Sequence, residues 1–167
     1  MIKRLIFKVL INIVNIIPCY KFFELRNELL RLAGVSIGKG TKIVGPVYFT
    51  SSKIKIGNNV WIGSNFKIYS TSDDNIIIGD NVDIAPEVIL CCGGHNIGTN
   101  ERRAGKGYSK GIIIENGSWI GVRTTILGGV NIGKSCIVAA NSLVNKDISN
   151  DLLVGGVPCR EISKLEK

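Results

Sequence analysis

The residue of this sequence best suited to chemistry is His95, the single histidine among 167 residues. It follows Cys91-Cys92-Gly93-Gly94, where a run of regularly spaced aliphatic residues gives way to a polar stretch. An imidazole exchanges a proton near neutral pH, so a histidine at such a place is a candidate general base. A lone histidine is more commonly a packed or solvated side chain, and its surroundings must decide between these interpretations.

Five cysteines form the second group that could carry chemistry. Their number is odd, and they lack the paired spacing of a zinc site or a disulfide framework. A thiol nucleophile close to His95 is conceivable, but core packing is favoured because Cys91 and Cys92 lie within the aliphatic repeat. We therefore expect reduced thiols and no metal. The five are Cys19, Cys91, Cys92, Cys136 and Cys159.

Composition limits the class of protein and its partners. With 45% hydrophobic and 20% charged residues the chain reads as one globular unit, and its 20 glycines indicate many tight turns. The net charge of +8 favours an anionic partner, such as a phosphorylated cofactor or lipid headgroups. Aromatic residues make up only 7%, and no basic run is interleaved with them, which argues against nucleic acid.

Residues 2–17 predict an amphipathic helix. Arg4, Lys8, Asn12 and Asn15 fall on one narrow face, and the other positions are mostly aliphatic. The helix is shorter than the roughly 20 residues needed to cross a bilayer, and no small-residue cleavage site follows it. Two interpretations remain open: the helix lies on the inner membrane surface, or it packs on the body or on a neighbouring subunit.

A second helix is predicted at about residues 20–33, with Gly34 as its stop. Residues 1–34 would then form a helical appendage. The remaining chain, residues 35–167, carries a different pattern and is interpreted as the main domain.

Aliphatic residues recur every six positions in that domain. A period of six fits neither an α-helix nor a plain hairpin array, but it suits a short strand plus a corner, repeated so that equivalent side chains stack. The chain is therefore predicted to coil as a β-solenoid, whose handedness the spacing does not define. The inward series is Ile37, Ile43, Ile56, Ile62, Ile68, Ile78, Ile84, Leu90, Ile114, Ile120, Ile126, Ile132, Val138 and Val144.

Two stretches interrupt the repeat. The shorter lies within Tyr69 to Ile77, and the longer runs from Asn96 to Gly111 and is rich in Lys and Arg. A solenoid tolerates insertions as loops that leave its surface. His95 would then stand at the root of a mobile basic loop, at about residues 96–111, on a rigid coil. This placement favours a catalytic histidine.

The chain resembles the hexapeptide-repeat acyltransferases, and most closely the sugar O-acetyltransferases of the galactoside and maltose acetyltransferase type. The resemblance covers about residues 35–162. It rests on Asn65-Phe66, Asp73, Ile78-Gly79-Asp80-Asn81-Val82, Ile84-Ala85-Pro86, Gly94-His95, Trp119-Ile120-Gly121, Gly128-Gly129-Val130-Asn131-Ile132-Gly133, Asn141-Ser142-Leu143-Val144-Asn145-Lys146-Asp147 and Gly155-Gly156-Val157-Pro158-Cys159-Arg160.

The resemblance implies a mainly β fold, a left-handed parallel β-helix, here with N-terminal α-helices. It also implies a homotrimer with active sites between neighbouring subunits, and acetyl-CoA as co-substrate. Its site residues map onto this chain as follows: His95 as general base; Asn65 and Asp73 as acceptor contacts; Trp119 at the acetyl and pantetheine passage; Val122 at the oxyanion position; and Ala140, Lys146 and Arg160 in the CoA groove.

The expected function is therefore acetyl transfer to a sugar hydroxyl. The apolar, basic first helix would suit an enzyme of bacterial surface polysaccharide assembly that acts on a lipid-linked glycan, in the cytoplasm or at the inner membrane face. Amino-sugar N-acetylation and a non-catalytic hexapeptide scaffold remain as alternatives. A zinc-dependent carbonic anhydrase of the same architecture is excluded, because it needs three histidine ligands and the chain has one.

Overall fold

The computed structural model describes residues 2–71 and 74–166, in which two helices precede a long series of short strands. The elements are α1 (Ile2–Ile16), α2 (Phe23–Leu32), β1 (Ser36–Ile37), β2 (Lys42–Ile43), β3 (Val47–Phe49), β4 (Ile54–Ile56), β5 (Trp61–Ile62), β6 (Phe66–Tyr69), β7 (Ile76–Ile78), β8 (Asp83–Ile84), β9 (Ile89–Cys91), β10 (Gly93–Ile97), β11 (Ala104–Ser109), β12 (Ile112–Ile114), β13 (Trp119–Ile120), β14 (Thr125–Leu127), β15 (Asn131–Ile132), β16 (Ile137–Val138), β17 (Leu143–Val144), β18 (Leu152–Gly156) and β19 (Cys159–Lys164).

From β1 to β9 and from β12 to β17, successive strands belong to three sheets in turn, so the chain winds as a parallel β-helix. The fold class is the predicted one, a left-handed parallel β-helix with N-terminal helices. Sheet A has the order β1-β4-β7-β12-β15, and sheet C has the order β17-β14-β9-β6-β3. Sheet B runs β19-β18-β16-β13-β8-β5-β2, and its last pair, β18 and β19, is antiparallel. Each coil contributes one strand to each face, and the core lies along the axis between the three sheets.

The six-residue period correctly identified the core. All fourteen residues of the predicted inward series are buried, none with more than 8% of its surface exposed. Ile114 pairs with Ile132, eighteen residues later, which is three hexapeptides to a coil. Stacking of equivalent side chains from one coil to the next follows from this register.

The helix α2 closes the first coil through buried polar contacts. Arg26 is fully buried, and its guanidinium donates to the carbonyl of Ile43 at 2.8 Å and to those of Ile17 and Pro18 at 3.1 and 3.2 Å. Desolvation by this burial lowers the pKa of Arg26. Asn27 donates to the Thr41 carbonyl at 2.8 Å. Backbone groups at the open end of the solenoid thereby obtain partners.

The helix α1 packs on the body along one face. Phe7, Ile11 and Val14 are buried, and Asn15 pairs with both backbone groups of Val47, each at 2.8 Å. Helical spacing predicts Asn15 on the polar face, whereas in the structure it covers β3, the edge strand of sheet C. No helix in the described ranges is long and apolar enough to cross a membrane.

Candidate active site

His95 lies on a hairpin that projects from the solenoid. Half of the segment expected to be a mobile loop at about residues 96–111 lies in the antiparallel pair of β10 and β11, in which His95 lies opposite Gly107. The register shifts between His95 and Ile97, which marks a bulge next to the histidine. Two strands therefore hold the imidazole at a defined place.

The hairpin also sets the protonation pattern of the imidazole. Nδ1 of His95 lies 2.9 Å from the carbonyl oxygen of Gly105. A carbonyl only accepts hydrogen bonds, so Nδ1 carries the proton in the neutral ring and Nε2 keeps a free lone pair. The side chain is exposed. This is the form of histidine that a general base requires.

An open cleft of about 640 Å³ lies beside His95 and contains a carboxylate that the sequence analysis did not single out. Asp74 is 97% buried, and its Oδ2 accepts hydrogen bonds from the Thr71 amide at 2.7 Å, the Thr71 hydroxyl at 3.1 Å and the Ser109 hydroxyl at 2.5 Å. Ser109 lies on β11, opposite Gly93. Asp74 therefore ties the hairpin to the shorter interruption of the repeat.

A neighbouring ring packs against the residue before the histidine. A Cβ on Gly94 would come within 2.7 Å of the Tyr108 ring, which packs directly over this position and also lines the cleft. Any side chain at Gly94 would displace Tyr108. The tyrosine ring is thus a steric reason for the glycine of the Gly94-His95 pair on which the family resemblance partly rests.

Of the two neighbouring cysteines, Cys92 is not arranged for nucleophilic catalysis. Cys92 is fully buried, and this burial, with smaller effects from Asp74 and Cys91, raises the pKa of its thiol to about 12. It therefore stays a protonated thiol at neutral pH, and a thiol is a poor nucleophile. Core packing, the interpretation favoured from the sequence, agrees with this burial.

Of the two residues expected to contact the acceptor, Asn65 and Asp73, the structure describes only Asn65. Asn65 is exposed at the corner after β5, and its backbone has a left-handed conformation with φ 59°. Its backbone N–H donates to the Pro46 carbonyl at 2.7 Å. The same conformation occurs at corner residues Asn81 and Asn141, so it suits a solenoid corner as well as a binding residue. Asp73 lies outside the described residues.

The residues expected to bind the acyl donor do not line the histidine cleft. Trp119 is on sheet B, Val122 is in the turn after β13, and Ala140 is at an exposed corner. Lys146 and Arg160 are exposed near the C-terminal end, and neither forms an ion pair with a described carboxylate. None of these five residues is among the described residues lining the His95 cleft. Arg160 donates to the Cys159 carbonyl at 2.9 Å, and both cations have charge that no described carboxylate neutralises, as phosphate binding would need.

A solenoid of hexapeptides with a histidine-bearing hairpin is the architecture that the resemblance to the hexapeptide-repeat acetyltransferases implies, and comparison with known proteins agrees. No family model matches the chain. The chain is 38% identical over 143 residues to the galactoside O-acetyltransferase of Escherichia coli K12, covering 85% of this chain and 70% of that protein.

Two solved structures share the whole architecture. A hexapeptide-repeat acetyltransferase of Vibrio cholerae, complexed with acetyl-CoA, is 30% identical with a TM-score of 0.87, and the match covers 99% of this chain and 88% of that one. A galactoside acetyltransferase in complex with coenzyme A is 35% identical with a TM-score of 0.85, covering 98% and 81%. The chain therefore belongs to the hexapeptide-repeat acetyltransferases of the galactoside and maltose type and is an acyltransferase.

Proposed function

We propose that the protein transfers the acetyl group of acetyl-CoA to a sugar hydroxyl, with His95 as the general base. The observation that carries this proposal is the hydrogen bond from Nδ1 to the Gly105 carbonyl, which leaves Nε2 free to accept a proton. Relatives named as galactoside O-acetyltransferases support a sugar acceptor, and their complexes with coenzyme A and acetyl-CoA support the donor.

The reaction needs a base because an alcohol is a weak nucleophile at neutral pH. Nε2 of His95 takes the hydroxyl proton while the oxygen attacks the thioester carbonyl. The tetrahedral intermediate then collapses, the carbon–sulfur bond breaks, and the imidazolium returns its proton to the departing thiolate. Val122 has no hydroxyl to stabilise the oxyanion, so its backbone N–H is the donor at that position; no described residue accepts a hydrogen bond from this amide.

An acceptor screen that follows thiol release from acetyl-CoA tests this proposal. The panel pairs each neutral sugar with its amino-sugar counterpart, for instance galactose with galactosamine. We expect release with the hydroxyl acceptors and an ester product. Release with amino sugars alone would assign the enzyme to N-acetylation instead, and no release with any acceptor would favour a non-catalytic scaffold.

We further propose a homotrimer whose sites lie between subunits. The His95 cleft contains none of the residues assigned to the acyl donor, so a complete site needs groups from a second chain. Co-expression of His95→Ala and Trp119→Ala chains tests this arrangement. Random mixing would restore both native residues in about a quarter of the sites if they come from different subunits. No activity above that of the separate variants would contradict shared sites.

The first helix is proposed to hold the enzyme at an anionic membrane surface, which would suit a lipid-linked glycan in surface polysaccharide assembly. Opposite the buried face of α1 lies a second apolar stripe, 39–80% exposed. The helix has no acidic residue, and Arg4 and Lys8 are exposed beside the stripe. Such a helix binds an interface through apolar burial and attraction to anionic lipid. The stripe is Ile2, Leu5, Ile6, Val9, Ile13 and Ile16.

Sedimentation with lipid vesicles tests this location. The full chain should bind vesicles containing phosphatidylglycerol and bind less to phosphatidylcholine alone, and the double substitution Ile6→Ser with Ile13→Ser should abolish binding. Ile113→Ser, at an exposed isoleucine of sheet A, serves as the control and should bind as the wild type. If the double substitution instead only changes self-association in the absence of lipid, the stripe is a contact between copies and the proposal fails.

A further inference from the structure

The hairpin that carries His95 is strongly basic. From Gly93 to Gly111 the chain has four cationic side chains and one carboxylate, that of Glu101. Exposed charge on a hairpin is commonly a solvated surface, so the place of each cation relative to the base decides its meaning. The four cations, all exposed, are Arg102, Arg103, Lys106 and Lys110.

A second cavity beside His95 contains one of these cations. It has a volume of about 490 Å³ and is lined by His95, Thr99, Arg102 and four small residues, three of them glycines. We call it the arginine cleft, to separate it from the His95 cleft that contains Asp74 and Tyr108. The imidazole borders both cavities, so a molecule whose hydroxyl reaches His95 can lie with another part beside Arg102.

The guanidinium of Arg102 is free. The side chain is exposed, and it forms no ion pair or hydrogen bond with any other residue in the ranges that the structure describes. Glu101, its neighbour along the chain, does not pair with it. By contrast, the exposed Arg123 is bound to Glu87 at 2.5 Å. The positive charge at the arginine cleft is therefore available to a ligand.

The tip of the hairpin fixes the backbone at Arg102. The amides of Gly98 and Gly105 both donate to the Arg103 carbonyl, at 2.9 and 3.1 Å. A Cβ on Gly98 would clash with the Arg102 carbonyl, so the two main-chain segments pack directly on each other. The main chain at Arg102 is thus held relative to the strands that carry His95, and a ligand has only the side-chain torsions left to order.

The free guanidinium selects the chemistry of the ligand. Its planar fork of N–H donors matches a carboxylate or a phosphate, and such charge-assisted hydrogen bonds are roughly twice as strong as those to a neutral hydroxyl. The His95 cleft offers no such group, because its carboxylate, Asp74, already accepts three hydrogen bonds from the protein. An anionic group on the ligand would therefore lie in the arginine cleft.

The phosphates of acetyl-CoA are the competing anions. During transfer the thioester carbonyl must lie beside Nε2 of His95, and the phosphates of acetyl-CoA are at the other end of its pantetheine arm. A cation that shares a cavity with His95 therefore faces the acceptor and not those phosphates. We propose that the acceptor carries a carboxylate or a phosphate ester, and that Arg102 binds this group while a nearby hydroxyl of the acceptor reaches His95. This inference rests on the proposed function, since it names the class of acceptor for that reaction.

Thiol release with matched acceptors tests the inference on the full chain. The pairs are glucose with glucuronic acid and galactose with galacturonic acid, which add a carboxylate, and each neutral sugar with its 1-phosphate, which adds a phosphate. We expect kcat/KM for at least one acidic acceptor to exceed that of its neutral partner by about 10-fold or more, the value of one hydrogen bond to a charged group. The pair that shows the preference identifies the anion, and added sodium chloride should reduce the preference.

Variants of two adjacent arginines locate the charge that gives this preference. Arg102→Gln keeps N–H donors but removes the charge, so the ratio of acidic to neutral kcat/KM should fall close to one. Arg102→Lys should keep part of the preference, because it retains the charge without the fork. Arg103→Gln is the matched control: Arg103 is exposed, is not among the described residues lining the arginine cleft, and its loss should leave the wild-type ratio.

The possible failures are distinguishable. Equal kcat/KM for every acidic acceptor and its neutral partner, or the same loss of preference in Arg103→Gln, would overturn the anion site and keep the acetyltransferase function. A higher KM for acetyl-CoA in Arg102→Gln, with the preference for acidic acceptors intact, would assign this cation to the donor and also overturn the inference. No thiol release with any acceptor would remove the proposed function, and the charge of the acceptor with it.

Discussion

Replacing His95 with asparagine separates its role as a base from its structural hydrogen bond. The asparagine amide nitrogen lies about where Nδ1 does and can still donate to the Gly105 carbonyl, but the side chain has no basic nitrogen. Loss of a general base costs about 10²–10⁴-fold in rate, which is about 3–5 kcal/mol on the barrier. His95→Ala removes the hydrogen bond as well as the base.

The effect on stability should be much smaller than the effect on rate. The side chain is exposed, so truncation leaves no cavity, and the lost hydrogen bond contributes at most about 1.5 kcal/mol. His95→Ala should therefore lower the free energy of unfolding by no more than this amount, and His95→Asn should leave it close to that of the wild type.

The assay measures kcat by thiol release at saturating acetyl-CoA, the Kd for acetyl-CoA by calorimetry, and the free energy of unfolding by urea titration. Both variants should lose kcat to the same extent while they keep the affinity for acetyl-CoA. If His95→Asn keeps more than about a tenth of wild-type kcat, His95 is not the general base.

Three further predictions concern other groups. Arg26→Met should lower the free energy of unfolding by about 3 kcal/mol, because buried carbonyls lose their donor; urea titration checks this, with Arg31→Met at a more exposed arginine as the milder control. Asp74→Ala should lower kcat and speed amide hydrogen exchange in residues 93–109 by releasing the hairpin, and Asp74→Asn should restore part of both because its oxygen still accepts hydrogen bonds; unchanged exchange would contradict this role. Because burial raises the pKa of Cys92 to about 12, iodoacetamide at neutral pH should label exposed Cys19 and leave Cys92 unmodified, as mass spectrometry would show.

The sequence predicted the solenoid because its core depends on a local repeat. Each inward aliphatic needs only the residue one coil away, so Ile114 and Ile132 can be paired by counting. The same counting located the two interruptions, because Ile78 follows Ile68 and Ile114 follows Leu90 at more than the regular spacing of one hexapeptide. Where structure depends on a short repeat, a single sequence is sufficient.

Contacts across the interruptions left no periodic signal. Asp74 and Ser109 are 35 residues apart and meet only because the hairpin folds back over the shorter interruption. The hairpin itself is rich in glycine and lacks the alternating apolar pattern of a half-buried strand, since both of its faces are largely exposed. Asn15 was assigned to the polar face by helical spacing, which does not show that the backbone of Val47 lies beside it.

The hairpin lengthens the chain without disturbing the coil. Ile78 and Ile114 pair although they are 36 residues apart, which is two coil lengths, so the insertion amounts to one whole coil and the register is kept. A side chain on a coil is confined to the surface of the solenoid, whereas a side chain on the hairpin extends beyond that surface. The base can therefore lie away from the coils that carry Trp119 and Lys146 of its own chain. If the site is divided in this way, a second chain must complete it, which is the physical basis for the shared sites proposed for the trimer.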